Sequence, residues 1–184
     1  MLTLDVLPTP IGEIDVVTDA GGRLRVLEFH DQPQRLVRAL RLHHRGQTVE
    51  TGAASAAVRQ GLDAYFAGEL TALKTIPWTI GGTAFQRQVW DALVEIPLGE
   101  ATTYARLAER IGRASAVRAV GLANGANPIA VVVPCHRVIG TSGALTGYGG
   151  GVERKRWLLG HEGERPLAAF RGASTRSPTP RSGS

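Results

Sequence analysis

The chain carries one cysteine, Cys135, and the run "VPCHRVIG" around it sets a thiol, an imidazole and a guanidinium at three consecutive positions. A thiolate is a strong nucleophile. His136, Arg137 and any helix N-terminus nearby are expected to favour it, pulling the thiol below its reference pKa of ~8.5. A free cysteine is by default an inert core residue. Here a proline precedes it, polar residues follow, and the apolar run "IAVVV" lies just upstream, which places the thiol where buried strand gives way to polar surface. Redox exchange would need a second cysteine to resolve the mixed disulfide. Zinc would need ligand spacing that the five histidines do not show around a single cysteine. No metal and no cofactor is expected. Neighbours in extended chain point to opposite sides, so His136 can serve Cys135 only through a water or a bend.

Length and charge bound what can surround this thiol. With 184 residues, 43% of them apolar, the chain can fill one ordinary domain or two small ones. One cysteine makes no intramolecular disulfide, and "MLTLDVLPTPIGEIDVV" lacks the parts of a signal peptide, which predicts a soluble cytoplasmic protein. No apolar run reaches the ~18 residues of a membrane helix. The net charge of +5 is unevenly spread: residues 1–80 carry 8 basic and 9 acidic side chains, 81–165 carry 10 and 7, and 166–184 carry 3 and none. A basic back half predicts a polyanionic partner there.

The stretches "LTLDVLP", "EIDVVT" and "RLRVLEF", alternating or β-rich and separated by breakers, predict an antiparallel meander. A helix follows in "AASAAVRQGLDAYFAG", with Val58, Leu62 and Phe66 on one face and Gly68 as its stop. "TIPWTI" alternates Ile76, Trp78 and Ile80 as a further strand. Residues 1–80 thus read as a small α+β domain. The next helix opens on a capping box, Thr83 with Gln86, turns Phe85, Val89, Leu93 and Ile96 inward, and ends at Pro97 and Gly99. "TYARLAERIG" and "SAVRAVGLANGAN", capped by Thr103 and Ser115 and joined at Gly112 and Arg113, predict a helix-turn-helix. The cysteine, a glycine-rich hairpin "TSGALTGYGGG" and the helical "VERKRWLLGHE" complete residues 81–165. Residues 166–184 read as a disordered tail. The fold class is α+β: an antiparallel sheet with helix, then a helical domain of winged helix-turn-helix type.

A helix-turn-helix directly before a reactive cysteine suggests chemistry on DNA. The run "VPCHRVIGTSGALTGYGGGVERKRWLLGHEG", with "RAVGLANGANP" and "FQRQVWDALVEIPLGEATTYARLA" upstream, resembles the O6-alkylguanine-DNA alkyltransferases in order and spacing from about Thr83 to Gly163. The front half resembles them only in element order. The resemblance implies that Cys135 accepts the alkyl group of a damaged guanine in an SN2 step. His136 then takes the thiol proton through a water and Glu162 orients the imidazole. It further implies that Tyr104 donates to the guanine as charge develops on the leaving base. Asn127 would tie the recognition helix to the cysteine turn. Tyr148, Gly149 and Gly150 would close over an extruded base, and Pro134 and Val138 would line the apolar part of its pocket. Arg118 would fill the vacated stack. Thr103, Arg106, Arg110, Arg113 and Ala123 would meet the minor groove and its phosphates. Asn124 and Ala130 hold pocket-side positions where bulkier residues are common, which leaves the adduct size range open.

The implied partner is double-stranded DNA containing O6-alkylguanine, with no membrane and no obligate protein partner. The implied activity is that of a suicidal methylated-DNA-[protein]-cysteine S-methyltransferase; action on O4-alkylthymine stays open. Two rivals come from other classes. Alkyltransferase-like proteins grip the lesion without reacting, but carry tryptophan where this chain has Cys135. The second is a helix-turn-helix transcription regulator that merely contains a cysteine; an alkylation-sensing one would add a cysteine-rich metal module, for which one cysteine is too few.

Overall fold

Alternating apolar residues form β1 (Leu2–Leu7), β2 (Ile14–Asp19) and β3 (Leu24–Phe29), paired antiparallel as the pattern predicts. The structure, a computed structural model, describes residues 1–145 and 147–163. α1 (Pro33–His43) packs Leu36, Ala39 and Leu40 on Leu2, Val17 and Val26. No pattern noted above marks this helix. Its signs are the proline in the first turn and the Leu36–Leu40 spacing, obscured by three arginines on the same helix. β4 (Val49–Thr51) adds to β1 in parallel and completes the order β3-β2-β1-β4. Its three residues are all exposed, so no apolar alternation announces it. α2 (Ala56–Phe66) covers the opposite sheet face with Val58, Leu62 and Tyr65 buried.

"TIPWTI" is not a strand. Leu24 bridges Trp78 alone, donating from its amide to Pro77 O at 2.8 Å and accepting from Thr79 N at 3.1 Å. Pro77 has no N–H with which to extend the ladder. α3 (Ala84–Val94) opens on the expected capping box: Gln86 N donates to Thr83 Oγ1 at 3.2 Å, and Thr83 N donates to Gln86 Oε1 at 3.0 Å. α4 (Tyr104–Arg110) and α5 (Val117–Gly125) form the helix-turn-helix, with Gly112 at φ 69° in the connection. Thr103 caps α4, accepting from Arg106 N at 3.2 Å. Ser115 does not cap α5, because a 3-10 turn over Ala114–Ala116 leads directly into the helix.

Two short strands, β5 (Thr102–Thr103) and β6 (Val138–Ile139), pair in parallel and bring the start of α4 beside the segment after the cysteine. The glycine-rich stretch beyond β6 is a closed loop rather than a hairpin, with Gly140 N donating to Ala144 O at 3.1 Å. It leads into α6 (Val152–His161). One apolar cluster runs from Ile14 and Phe29 through Tyr65 and Trp90 to Val138 and Leu158, so both halves of the chain share a core. The expectation for residues 166–184 lies outside the described residues. Among those described, no helix is long and apolar enough to cross a membrane.

Candidate active site

"IAVVV" coils instead of extending. Val133 N donates to Ile129 O at 3.1 Å and Val132 N to Ala130 O at 2.8 Å, while Val131 takes φ 69°. A β-branched residue held there costs on the order of 1–3 kcal/mol, so surrounding contacts must enforce it. Two do. Leu27 on the free edge of β3 donates to Pro128 O and accepts from Ala130 N, each at 2.9 Å. The buried Asn127 side chain donates to Val133 O at 2.8 Å and Ile129 O at 3.3 Å, and accepts from Ile129 N at 3.0 Å. Asn127 thereby ties the end of α5 to the turn that presents Cys135.

That turn, a 3-10 helix over Cys135–Arg137, buries all three residues. Cys135 is only 6% exposed, which corrects the expectation of a thiol at a strand's polar end. The expected pKa direction is also reversed. Burial pushes the Cys135 thiol up, against the Asn127 amide that favours the thiolate; Glu28 adds to the rise, and Arg35 and Lys155 oppose it. Arg137 takes no part, because its Nε and Nη2 hold Glu162 at 2.7 and 2.8 Å and its Nη1 donates to Ile96 O at 2.6 Å. A thiol so placed stays protonated until a base removes its proton.

The next residue is an imidazole. His136 Nε2 faces Glu162 Oε1 at 3.0 Å, and its Nδ1 is buried with no hydrogen-bond partner among the described residues. A carboxylate on Nε2 fixes that nitrogen as the donor and leaves Nδ1 as the acceptor. Burial lowers His136 from its ordinary value while Glu162 pulls the other way. Glu162 is itself desolvated, yet donors from Arg137 and His136 outweigh this and hold it at about 2.

A narrow pocket at the thiol is lined by Asn124, Ala130, Gly147 and Tyr148 together with Glu28 and Arg35. Tyr148 sets its ring edge-on to Phe29 and His136. Gly149 and Gly150 lie flat on the front half: a Cβ on Gly149 would stand 2.4 Å from the Arg35 guanidinium, and one on Gly150 2.2 Å from the Phe29 ring. Tyr104 reaches this space as well, its hydroxyl 3.6 Å from where a Gly147 Cβ would stand. Burial raises Tyr104 first, with Cys135 adding to it, so its hydroxyl remains a proton donor. Two expected lining residues lie elsewhere. Pro134 faces a separate cleft with Leu73 and Trp78, and Val138 is fully buried in β6, its carbonyl accepting from Lys155 Nζ at 2.6 Å.

Arg106, Arg113 and Arg118 are exposed on the helix-turn-helix. Leu122, one turn after Arg118, is 77% exposed, a large apolar side chain left bare on the outer face of α5. Arg110 pairs with Glu95 at 2.9 Å, which divides its charge. Ala123 departs from expectation: it is buried on the inner face of α5, where its carbonyl accepts from Trp90 Nε1 at 2.8 Å. Thr103 spends its hydroxyl on the α4 cap.

Four residues at the site are absent from the sequence expectations: Glu28, Arg35, Tyr65 and Lys155. Arg35 Nε donates to Glu28 Oε2 at 2.8 Å, and its Nη atoms donate to Gly125 O at 3.3 Å, joining α1 to the end of α5. Tyr65 donates to Glu162 Oε1 at 3.0 Å. The hidden sign was a charge pattern: Glu28 in an apolar strand and Lys155 in a buried helix face both need partners, and burial raises Glu28 accordingly.

A buried cysteine, followed by a histidine that a carboxylate holds and tied by an asparagine to the second helix of a helix-turn-helix, sets a thiol and an imidazole beside that motif. Residues 84–164 match the 6-O-methylguanine DNA methyltransferase, DNA binding domain family. The chain is 59% identical over 167 residues to the methylated-DNA–protein-cysteine methyltransferase of Mycolicibacterium paratuberculosis, spanning 88% of this chain and 93% of that one. It is 48% identical to the enzyme of that name from Shigella flexneri, over 85% and 93%. The crystal structure of Mycobacterium tuberculosis OGT in complex with DNA superposes with a TM-score of 0.72 at 43% identity, covering 87% of this chain and 92% of that one. The chain belongs to the methylated-DNA–protein-cysteine methyltransferase family.

Proposed function

We propose that the chain repairs duplex DNA by moving the alkyl group from O6 of guanine onto Cys135, which keeps it. The observation that carries this reading is the buried thiol next to a histidine whose Nε2 is held by a carboxylate and whose Nδ1 is open. A protonated thiol is a poor nucleophile, and the chain supplies the base that corrects this.

DNA enters along α5. Arg106, Arg113 and Arg118 meet phosphates and groove, and the small residues Ala119, Gly121 and Gly125 around Leu122 let the helix approach closely. Extruding a nucleotide costs a few kcal/mol, least where alkylation has already spoiled pairing, which favours the damaged base. Arg118 fills the gap. The base settles between Tyr104, Cys135 and the loop of Tyr148, Gly149 and Gly150. A water passes the thiol proton to His136 Nδ1, and Glu162 steadies the resulting imidazolium. Sulfur attacks the alkyl carbon, the carbon–O6 bond breaks, and its electron pair stays with guanine, which Tyr104 protonates. A thioether has no easy hydrolytic exit, so each molecule acts once.

This reading gives DNA handling and alkyl acceptance to residues 81–165 and support of that site to residues 1–80. It invokes no protein partner. It places the protein in the cytoplasm, where reducing conditions keep the single cysteine free. Replacing the nucleophile tests it. Cys135→Ala should bind an O6-methylguanine duplex as the wild type does and transfer nothing; alkyl transfer by that variant would overturn the assignment.

A further inference from the structure

Tyr65 belongs to α2, in the front half of the chain, 97 positions before Glu162. Its hydroxyl donates to Glu162 Oε1 at 3.0 Å. The same oxygen accepts from His136 Nε2 at 3.0 Å and from Arg137 Nη2 at 2.8 Å. One carboxylate oxygen therefore serves three donors, two from the cysteine turn and one from the other half of the molecule. We propose that Tyr65 is a positioning residue for alkyl transfer, drawing on Glu162 Oε1 so that the carboxylate orients His136 without holding it in the protonated form.

The proposal rests on the reading of Cys135 as alkyl acceptor and His136 as its base. A carboxylate whose main partner is an imidazole stabilises the imidazolium, and an imidazolium cannot take up the thiol proton. Each additional donor spreads the negative charge and weakens that bias. Arg137 does so with a full charge; Tyr65 does so with a neutral, directional O–H. The direction is fixed by packing. Tyr65 is fully buried, edge-on to Phe66 at 5.2 Å and to His161 at 5.1 Å, and its own carbonyl is bonded to His161 Nε2 at 2.7 Å. Burial and the adjoining Glu162 charge push the Tyr65 hydroxyl far up, so it stays a donor at every working pH.

The groups facing His136 are few. Glu162 favours its charged form, whereas Arg137 on its own turn and Lys155 from α6 oppose it; the Tyr148 ring lies 6.5 Å away, edge-on, and Cys135 is its chain neighbour. The base works when neutral, so transfer is lost as the pH falls through the His136 pKa. Removing the Tyr65 donor leaves more of the Glu162 charge for the imidazole, raises that pKa and moves the loss to higher pH.

Single-turnover transfer from an O6-methylguanine duplex, followed across pH, tests this. Tyr65→Phe keeps the ring and deletes the hydroxyl. Its acid limb should move up by about one pH unit, the effect of one hydrogen bond to a charged group, with transfer slowed about tenfold at pH values below both limbs and by no more than about threefold near neutrality, because His136 starts below its ordinary value. Phe66→Leu, which loosens the ring packing but touches no carboxylate, should leave the limb in place. An acid limb for Tyr65→Phe that overlays the wild type's, or an equal move in Phe66→Leu, overturns the proposal while leaving the alkyl-transfer reading intact. Absence of transfer to Cys135 in the wild type overturns both.

Discussion

Burial pushes the Cys135 thiol up, and on the proposed reading His136, the next residue in the chain, removes its proton, so reactivity does not rest on a standing thiolate. On the same reading Arg118 and Tyr104 act at different steps. Arg118, exposed on α5, would support the extruded state; Tyr104, beside the pocket, would answer charge on the leaving base. A free O6-benzylguanine base needs no extrusion. Arg118→Ala should therefore slow repair of a duplex by more than about tenfold and leave reaction with the free base nearly unchanged. Tyr104→Phe should slow both, since its hydroxyl works in the transition state. Single-turnover rates on each substrate decide it, and equal defects for Arg118→Ala on both would remove Arg118 from extrusion. At this scale the cysteine, histidine and glutamate were legible, because they lie in one specific run of sequence. Tyr65 and Arg35 were not, because their role exists only through contacts across the chain that no local pattern encodes.

The loop between β6 and α6 works by lying flat. Gly150 has no room for a side chain: a Cβ there would meet Phe29 at 2.2 Å and Tyr148, which lines the pocket at the thiol, at 2.9 Å. Gly150→Ala must displace one of these rings. It should lower stability by about 1–3 kcal/mol in denaturant titrations and slow alkyl transfer as Tyr148 shifts. Gly160→Ala on α6, where a Cβ meets nothing within 4 Å, is the control and should leave both unchanged or add slight stability. A Gly150→Ala protein with wild-type stability would show that the loop yields freely. Elements were legible where period and punctuation agreed, as in β1 to β3, α2, and α3 with its capping box. They were not where one side chain set dominated, as in arginine-rich α1, or where tertiary bonding replaced a ladder. "IAVVV" reads as strand by composition, but Asn127 and the edge of β3 coil it, and "TIPWTI" keeps a single bridge because Pro77 cannot donate.

Across the whole molecule, the free edge of β3 joins the two halves. Leu24 holds the chain entering the back half and Leu27 holds the chain approaching Cys135, so the front sheet helps set the position of that residue. Glu28, on the same strand, lines the pocket, and Phe29 packs behind it against Gly150 and Tyr148. Composition and charge identified the back half as the one facing a polyanion; that the front half builds part of the site emerges only in three dimensions. The account stands or falls on where the alkyl group ends. Protein incubated with an excess of O6-methylguanine duplex should gain the mass of one CH2 group, located by peptide mapping on the segment containing Cys135, with lesion removal stopping at one per protein molecule. Lesions that keep disappearing while Cys135 remains unmodified, or a Cys135 that stays unmodified beside an intact lesion, would contradict it.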